Sequence, residues 1–278
     1  MKKIPDKYTL QWRYVSPHNA QPWKIMFLES DLLVCENRLR ETGKTFFTCL
    51  ELGAGKEILK DFSLDDRIRG MMGGNSMTGL ETTRGTLFYI HGYQGNSPEH
   101  RGLWAVDPLE AEVIWARPEA VFVANLRGGM LVYAAGSFAG FPERSYFMLD
   151  TESGEVLDTI GEDAARANSL RRESLSDEEL QQVVLPEVMS PDRSSPSLSG
   201  EGFSEYIEQE GLLITVIHMP TKGSEGFEAT IRVYHNDTKV YEDVLARGTA
   251  VPCVNYFLLR DVTLYYIRNM NELTAVRL

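Results

Sequence analysis

The chain has 278 residues, of which 43% are hydrophobic and 24% charged, and 28 basic against 40 acidic side chains give a formal net charge of −12 at pH 7. A chain of this length buries most of its unfolded surface, so the composition fits a folded globular protein with a sizeable core. Because phosphate backbones and anionic lipid headgroups attract positive surfaces, the acidic balance excludes nucleic acid and membranes as expected partners.

The first residues and the three cysteines favour a cytoplasmic location. Lys2 and Lys3 are not followed by the apolar stretch of a secretory signal, and no apolar run in the chain reaches transmembrane length. Cys35, Cys49 and Cys253 are odd in number and lack the CxxC spacing. We therefore expect buried thiols in a reducing compartment rather than disulfides or a zinc site.

A hairpin of two apolar strands around a short polar turn recurs along the chain. Its strands are rich in Val, Ile, Leu, Tyr and Phe, and its turns contain the Gly and Asp residues that tolerate positive φ. The recurring segments are residues 23–36, 80–91, 120–135, 203–218 and 254–268. A second hairpin follows in residues 46–59, 102–115, 146–158 and 231–244. Four strands joined as a meander are typical of a propeller blade.

The spacing of the repeats supports blades and isolates an insertion. Successive equivalent leucines lie 54, 44, 82 and 51 residues apart, and removing residues 161–202 from the long interval leaves 82 − 42 = 40. This stretch has no aromatic residue but eight serines and three prolines, so a further blade made of it could not bury a sheet face. Ser176 and Glu179 form a capping box that predicts a short helix ending before Pro186.

The last repeat ends after its third strand, whereas the N-terminus supplies a spare apolar strand at residues 8–15. Closure of a sheet array removes exposed strand edges, so we expect the first strand to complete the last blade. The predicted fold is therefore all-β: one domain over residues 1–278, a five-bladed β-propeller closed by the N-terminal strand. The polar, partly helical insertion 161–202 lies between the third and fourth blades, and six or seven blades are the alternative.

Two of the turns carry a recognisable repeat motif. Asp107 and Asp150, the latter followed by Gly154 in LDTESGEV, resemble the strand–turn–strand motif of quinoprotein-type and WD40-like propellers. The full chain, including residues 35–38 and 264–273, resembles an uncharacterised bacterial family of propeller-like proteins with no assigned activity. This resemblance implies a fold and no catalytic residue.

The longer connections predict which face binds a ligand. Residues 37–44, 92–101, 136–144 and 219–226, together with the Gly-rich 70–75 and the insertion, fall on one face of a meander propeller. Binding residues tend to lie in such loops. The predicted ligand-binding residues are Glu36, Arg38, His91, Tyr93, His100, Arg144 and His218, with Phe138 and Phe141 beside them. The alternative is that these side chains are solvated or satisfied by backbone groups.

The predicted function is a non-catalytic, cytoplasmic binding or protein-interaction propeller, whose partner is an unknown protein or a small polar ligand. The alternative is a glycosidase-like or other hydrolase acting on a small polar substrate at the central channel. Its candidate acid/base pair is Glu81 and Glu205, with His91 nearby. The standard two-carboxylate mechanism needs these carboxyl groups within about 9.5 Å of each other.

No metal or cofactor is expected from the sequence. His91, Glu99 and His100 are possible ligands, but they lack the HExxH spacing and the spacing of two histidines with one carboxylate.

Overall fold

The structure, a computed structural model, describes residues 8–64, 77–93, 99–189, 203–209, 211–221 and 226–278. Within these ranges the regular elements are β-strands, apart from two short α-helices and one 3-10 turn. The Gly-rich connection 70–75 and residues 190–202 of the insertion lie outside the described residues. Among the described helices, none combines the length and the apolar character that crossing a membrane requires.

The chain divides into two compact units. One is Trp23–Gln181, and the other, called the terminal unit below, combines Met1–Pro22 with Gln182–Leu278. The prediction of a single domain stays a prediction, and each unit is described by itself.

The Trp23–Gln181 unit contains three four-stranded antiparallel sheets, each connected as a meander. The first is β2 (Gln21–Phe27), β3 (Leu32–Arg38), β4 (Thr45–Glu51) and β5 (Glu57–Phe62), where β2 begins two residues before the unit. The second is β6 (Thr78–Arg84), β7 (Leu87–Tyr93), β8 (His100–Asp107) and β9 (Glu112–Arg117). The third is β10 (Ala120–Leu126), β11 (Gly129–Phe138), β12 (Phe141–Leu149) and β13 (Val156–Gly161).

Apolar residues on both faces of the inner strands pack these sheets against one another. Phe47 of the first sheet and Phe88 of the second are fully buried, with ring centroids 5.8 Å apart. Leu103 and Tyr89 of the second sheet share a cluster with Met130 of the third. The β-branched, aliphatic and aromatic side chains of these strands are therefore buried between the sheets, as the sequence predicts.

The insertion begins with helix α1 (Ala164–Arg172), which the sequence analysis did not predict. The Asp163 carboxylate caps it by accepting a hydrogen bond from Arg166 N at 2.9 Å, and Ala167 packs against the third sheet. Helix α2 (Asp177–Gln181) confirms the predicted capping box. Ser176 N donates to Glu179 Oε2 at 2.9 Å, and Glu179 N donates to Ser176 Oγ at 3.2 Å.

Helix α2 ends at Gln181, whereas the sequence predicts a helix that continues to just before Pro186. Gln182 has a φ of +54°, which breaks the helix, and the β-branched pair that follows forms strand β14 (Val183–Val184). This strand and β15 (Glu187–Val188) add short edges to the two sheets of the terminal unit.

The terminal unit contains two five-stranded antiparallel sheets. One has the order β15, β16 (Phe203–Gln209), β17 (Leu212–Pro220), β18 (Phe227–His235) and β19 (Thr238–Thr249). The other has the order β14, β20 (Phe257–Arg260), β21 (Thr263–Arg268), β22 (Glu272–Arg277) and β1 (Thr9–Val15). The predicted pairing of the first strand with the last repeat is confirmed, since β1 runs antiparallel to β22.

One predicted loop is wrong. Residues 136–144 form no long connection, because β11 and β12 remain paired to their tips, where Phe138 lies opposite Phe141. The turn is the dipeptide Ala139–Gly140, with φ of +50° and +85°, which is the chemistry of a tight two-residue hairpin. Both phenylalanines are strongly exposed at this tip.

Candidate functional site

Three strands of the second sheet bring a carboxylate, two imidazoles and a phenol together. Glu81 lies on β6, His91 and Tyr93 on β7, and His100 at the first position of β8. We call these four residues the Glu81 cluster. In the register, His91 is opposite Gly79 and Tyr93 is opposite His100, so residues two apart on each strand share this face.

A β-bulge turns Glu81 onto the same face. Leu80 pairs with Ile90 and Thr82 with Tyr89, which leaves Glu81 as the extra residue of β6. A bulge locally re-aims a side chain, and here it also keeps Leu80 opposite Ile90 in the core.

Both imidazoles lie against the same carboxylate oxygen. His91 Nδ1 is 2.8 Å and His100 Nδ1 is 2.9 Å from Glu81 Oε2. The two rings are stacked, with centroids 3.5 Å apart and planes inclined by 9°, and the Tyr93 ring packs edge-on against both. The side chain of His91 is 4% exposed, whereas that of His100 is 35% exposed.

Burial and polar contacts within the cluster shift the pKa values of Glu81 and His91. Burial acts to raise the pKa of Glu81, but polar contacts from His100 and His91 outweigh it and lower this pKa to about 2. Burial lowers the pKa of His91, against the opposing effect of Glu81. Glu81 is therefore a carboxylate at neutral pH, and it accepts the hydrogen that His100 Nδ1 donates.

A buried ion pair supports the cluster from the neighbouring sheet. Glu36 on β3 is 1% exposed, and its Oε1 lies 2.5 Å from Arg38 Nε, while its Oε2 accepts a hydrogen bond from Leu80 N at 2.7 Å. Arg38 donates to the Tyr93 hydroxyl at 2.9 Å and stacks over the Trp23 ring at 4.2 Å. The position of Tyr93 is thus fixed by a guanidinium that is itself held in place.

A cavity of about 310 Å³ opens beside His100 in the same unit. Strand β10 contributes apolar side chains to its wall, and helix α1 contributes Ala167, Asn168 and Arg171. Tyr133, Arg144 and Tyr146 line it from β11 and β12. The insertion therefore forms one wall of the cavity.

Charged groups on the cavity wall are mostly basic. Arg144 forms an ion pair with Glu99 and lies 4.7 Å over the Tyr133 ring. A hydrogen bond with Tyr146 raises the pKa of Arg144 above its usual range. Burial and a hydrogen bond with Glu99 raise the pKa of Tyr133 to about 12, so its hydroxyl stays protonated. The wall thus carries two guanidinium groups, from Arg144 and Arg171, against one carboxylate.

The structure brings most of the sequence-predicted site residues into one unit. Glu36, Arg38, Glu81, His91, Tyr93, His100 and Arg144 all belong to the Trp23–Gln181 unit. Glu205 and His218 belong to the terminal unit, so the proposed acid/base pairing of Glu81 with Glu205 joins residues of two units and stays a prediction.

Glu205 and His218 are both buried in the terminal unit. Glu205 Oε1 accepts a hydrogen bond from Asn255 N at 2.9 Å, and burial raises the pKa of this carboxyl. His218 Nε2 lies 3.1 Å from the backbone nitrogen of Cys253, which donates to it. Cys253, like Cys35 and Cys49, is a buried free thiol, as predicted.

The sequence analysis did not predict two residues that shape the site. Gly79 is one, because a methyl group at this position would lie 2.6 Å from His91 Nε2. Arg171 is another, hidden in an insertion whose second helix alone was predicted. The sequence does contain a signal for the helix that carries Arg171, since Asp163 is a favourable N-cap residue and helix-forming residues follow it.

Comparison with known proteins gives one family match. Residues 28–115 match the family model described as a domain of unknown function (DUF4905). This stretch holds Glu36, Arg38 and the whole Glu81 cluster, and the match confirms the resemblance to an uncharacterised family. A search of curated proteins gives no match.

Solved structures give distant similarities that cover most of the chain. The uncharacterized protein lmo1340 from Listeria monocytogenes is 11% identical, with 89% of this chain and 74% of that chain covered and a TM-score of 0.31. A glycosyl hydrolase from Bacteroides ovatus is 7% identical, with 96% and 85% covered and a TM-score of 0.32. The β-propeller domain of the Trilobed protease from Pyrococcus furiosus is 10% identical, with 89% and 77% covered and a TM-score of 0.30. None of their activities is transferred to this chain.

Proposed function

We propose that the Trp23–Gln181 unit is a binding module for a small polar molecule that carries a phosphate or carboxylate group. The observation that supports this most is the cavity beside His100, whose wall holds Arg144, paired with Glu99, and Arg171, which forms no ion pair with the described residues. A basic cavity in a chain with a net charge of −12 concentrates positive charge where an anion would bind.

Size and chemistry of the cavity fit a small ligand. Its volume of about 310 Å³ lies at the lower end of the range for small-molecule sites, about 300–1,000 Å³. Guanidinium groups recognise planar carboxylates and phosphates by paired hydrogen bonds, and the Tyr146 hydroxyl and the Asn168 amide add neutral polar groups. The apolar residues of β10 offer a surface for the uncharged part of the ligand.

The test compares neighbouring arginines of helix α1. Calorimetric titrations with citrate, inorganic phosphate and glucose 6-phosphate, with glucose as the neutral reference, are made on the wild type, Arg171→Gln and Arg172→Gln. Arg171 lines the cavity and Arg172 follows it on the same helix. We expect an anion of the panel to bind, with affinity about 10- to 100-fold weaker in Arg171→Gln and unchanged in Arg172→Gln. Equal affinities in all three proteins would contradict the proposal.

We further propose that the five sheets among the described residues are blades of one propeller, with the N-terminal strand completing the last blade. The repeated four-stranded meander supports this. The buried free thiols support a cytoplasmic location, and the acidic balance supports a protein or small molecule as partner rather than nucleic acid or membrane.

A further inference from the structure

We propose that Glu81, His91 and His100 form a binding site for a divalent transition-metal ion. One ligand atom from each residue lies within 4.8 Å of the other two, although the three residues come from three different strands. This site is separate from anion binding in the cavity, and only His100 takes part in both.

The hydrogen bonding of His91 points to a missing partner. Its side chain is almost fully buried, yet neither ring nitrogen makes an aligned hydrogen bond within the described residues, although Nδ1 lies 2.8 Å from Glu81 Oε2. Buried polar atoms are nearly always satisfied, so His91 is a candidate cation ligand, because its Nδ1 contacts a carboxylate and its Nε2 has no partner among the described residues.

The donor set fits transition metals better than calcium or magnesium. Two imidazoles and one carboxylate hold zinc or non-haem iron in proteins, with the remaining coordination positions open to water or a ligand. His91 Nδ1 and His100 Nδ1 lie 2.8 and 2.9 Å from Glu81 Oε2, so a bound cation would replace the hydrogen between each nitrogen and this oxygen.

Metal binding requires one ring to move. A metal lies in the plane of each imidazole that binds it, so two parallel rings 3.5 Å apart cannot both bind one ion until the stack opens. His91 is held over Gly79, whereas His100 is about one-third exposed at the start of β8. His100 is therefore the ring that turns, and the proton on each coordinating nitrogen passes to the other ring nitrogen or to solvent.

Titration of the full chain with Zn²⁺ tests the site. Protein freed of metal by a chelator is titrated calorimetrically as wild type, His100→Ala, Glu81→Gln and His235→Gln. We expect the wild type to bind one ion per chain, and His100→Ala and Glu81→Gln to bind it more than about 100-fold more weakly. Loss of a residue that is only hydrogen-bonded to a metal ligand weakens binding by about 10- to 100-fold, so the larger effect distinguishes a direct ligand. His235, which lies on β18 of the terminal unit, is the control and should leave binding unchanged.

Two results would overturn the site: no binding by the wild type up to about 1 mM Zn²⁺, or equal affinities in wild type and His100→Ala. Because His100 is partly exposed, His100→Ala should keep the far-ultraviolet circular dichroism of the wild type, which guards against an unfolded variant. Co²⁺ gives a second readout, since its visible absorption bands report nitrogen and oxygen ligation. The bands should appear in the wild type and His235→Gln and be lost in His100→Ala.

Discussion

Glu36 is a buried carboxylate that links two sheets of the Trp23–Gln181 unit. It pairs with Arg38 on its own strand and accepts the backbone hydrogen of Leu80 from the next sheet. Removing one partner of a buried pair leaves the other charge uncompensated, which costs more than the pair itself contributes.

Glu36→Ala should therefore destabilise the protein by about 3 kcal/mol, measured as the free energy of unfolding in urea. Glu57→Ala is the matched control, since Glu57 pairs with the mostly exposed Lys60 and its loss should cost less than about 1 kcal/mol. Equal losses in the two variants would show that Glu36 contributes no more than a surface carboxylate.

Glu205 should give the protein a measurable pH dependence. Burial raises the pKa of this carboxyl in the folded state, so the folded state binds the proton more tightly than the unfolded state does. The contribution to stability is fully present below the unfolded pKa and is lost as the pH rises through the raised folded pKa.

We expect the wild type to lose stability relative to Glu205→Gln as the pH rises from 4 towards 7. The glutamine keeps an acceptor for Asn255 N and removes the charge. Urea unfolding of both proteins at several pH values measures the difference, and a difference that does not change with pH would contradict the prediction.

At the residue scale, the sequence singled out side chains that the structure brings together, but it did not predict how they are arranged. His91, Tyr93 and His100 follow from a strand end and the start of the next strand, and all three lie in one cluster. If side chains alternated regularly from the β6–β7 turn, however, Glu81 would pair with Ile90 and its side chain would point into the core. The bulge that corrects this arises from the packing of Leu80 against the core, which a pattern of single residues does not reveal.

At the scale of elements, the turns between third and fourth strands share one conformation. Gly55, Ala111 and Gly154 have φ of +64°, +57° and +68° at the end of three such turns. Asp107 and Asp150 accept hydrogen bonds from backbone nitrogens two and three residues ahead, which explains the motif seen in the sequence. Alanine in this left-handed region costs about 1–2 kcal/mol relative to right-handed backbone.

Ala111→Gly should therefore stabilise the protein by about 0.5–1 kcal/mol, after the larger unfolded-state entropy of glycine is included. The change in urea midpoint measures it, and a destabilised Ala111→Gly would contradict the account of these turns.

Gly154→Ala should have the opposite effect and cost at least about 2 kcal/mol. A methyl group there would add a contact of 2.6 Å with the Trp115 ring to the backbone strain. Gly53→Ala is the control, since Gly53 has open space around it and should change the free energy of unfolding little.

At the scale of the whole molecule, the two ends of the chain meet in one sheet. Strand β1 pairs with β22, and Trp12 and Tyr14 of β1 are buried, with Trp12 packed against Tyr265. Without β1, the edge of β22 would be left unpaired and its apolar face uncovered.

Deletion of residues 1–15 should cost more than about 5 kcal/mol, because two buried aromatic side chains and a row of strand hydrogen bonds are lost together. The shorter deletion of residues 1–7 keeps β1 and is the control. Urea unfolding compares the two, and a protein without residues 1–15 that is as stable as the control would show that β1 does not complete the sheet.

The repeat of four-stranded meanders was predictable because short apolar strands and the polar turns between them are local signals. The pairing of β1 with β22 was predictable because one repeat lacked a strand that the N-terminus supplied. The division into two units and the cavity beside His100 were not, since they depend on packing between residues far apart in the chain, such as Arg171 and Tyr133.

The most direct measurement of the central claim is a crystal structure of the full chain with the tightest-binding anion of the calorimetric panel. The account predicts that its phosphate or carboxylate group lies in the cavity beside His100, hydrogen-bonded to Arg144 and Arg171. A ligand bound elsewhere on the chain, with only solvent in the cavity, would contradict it.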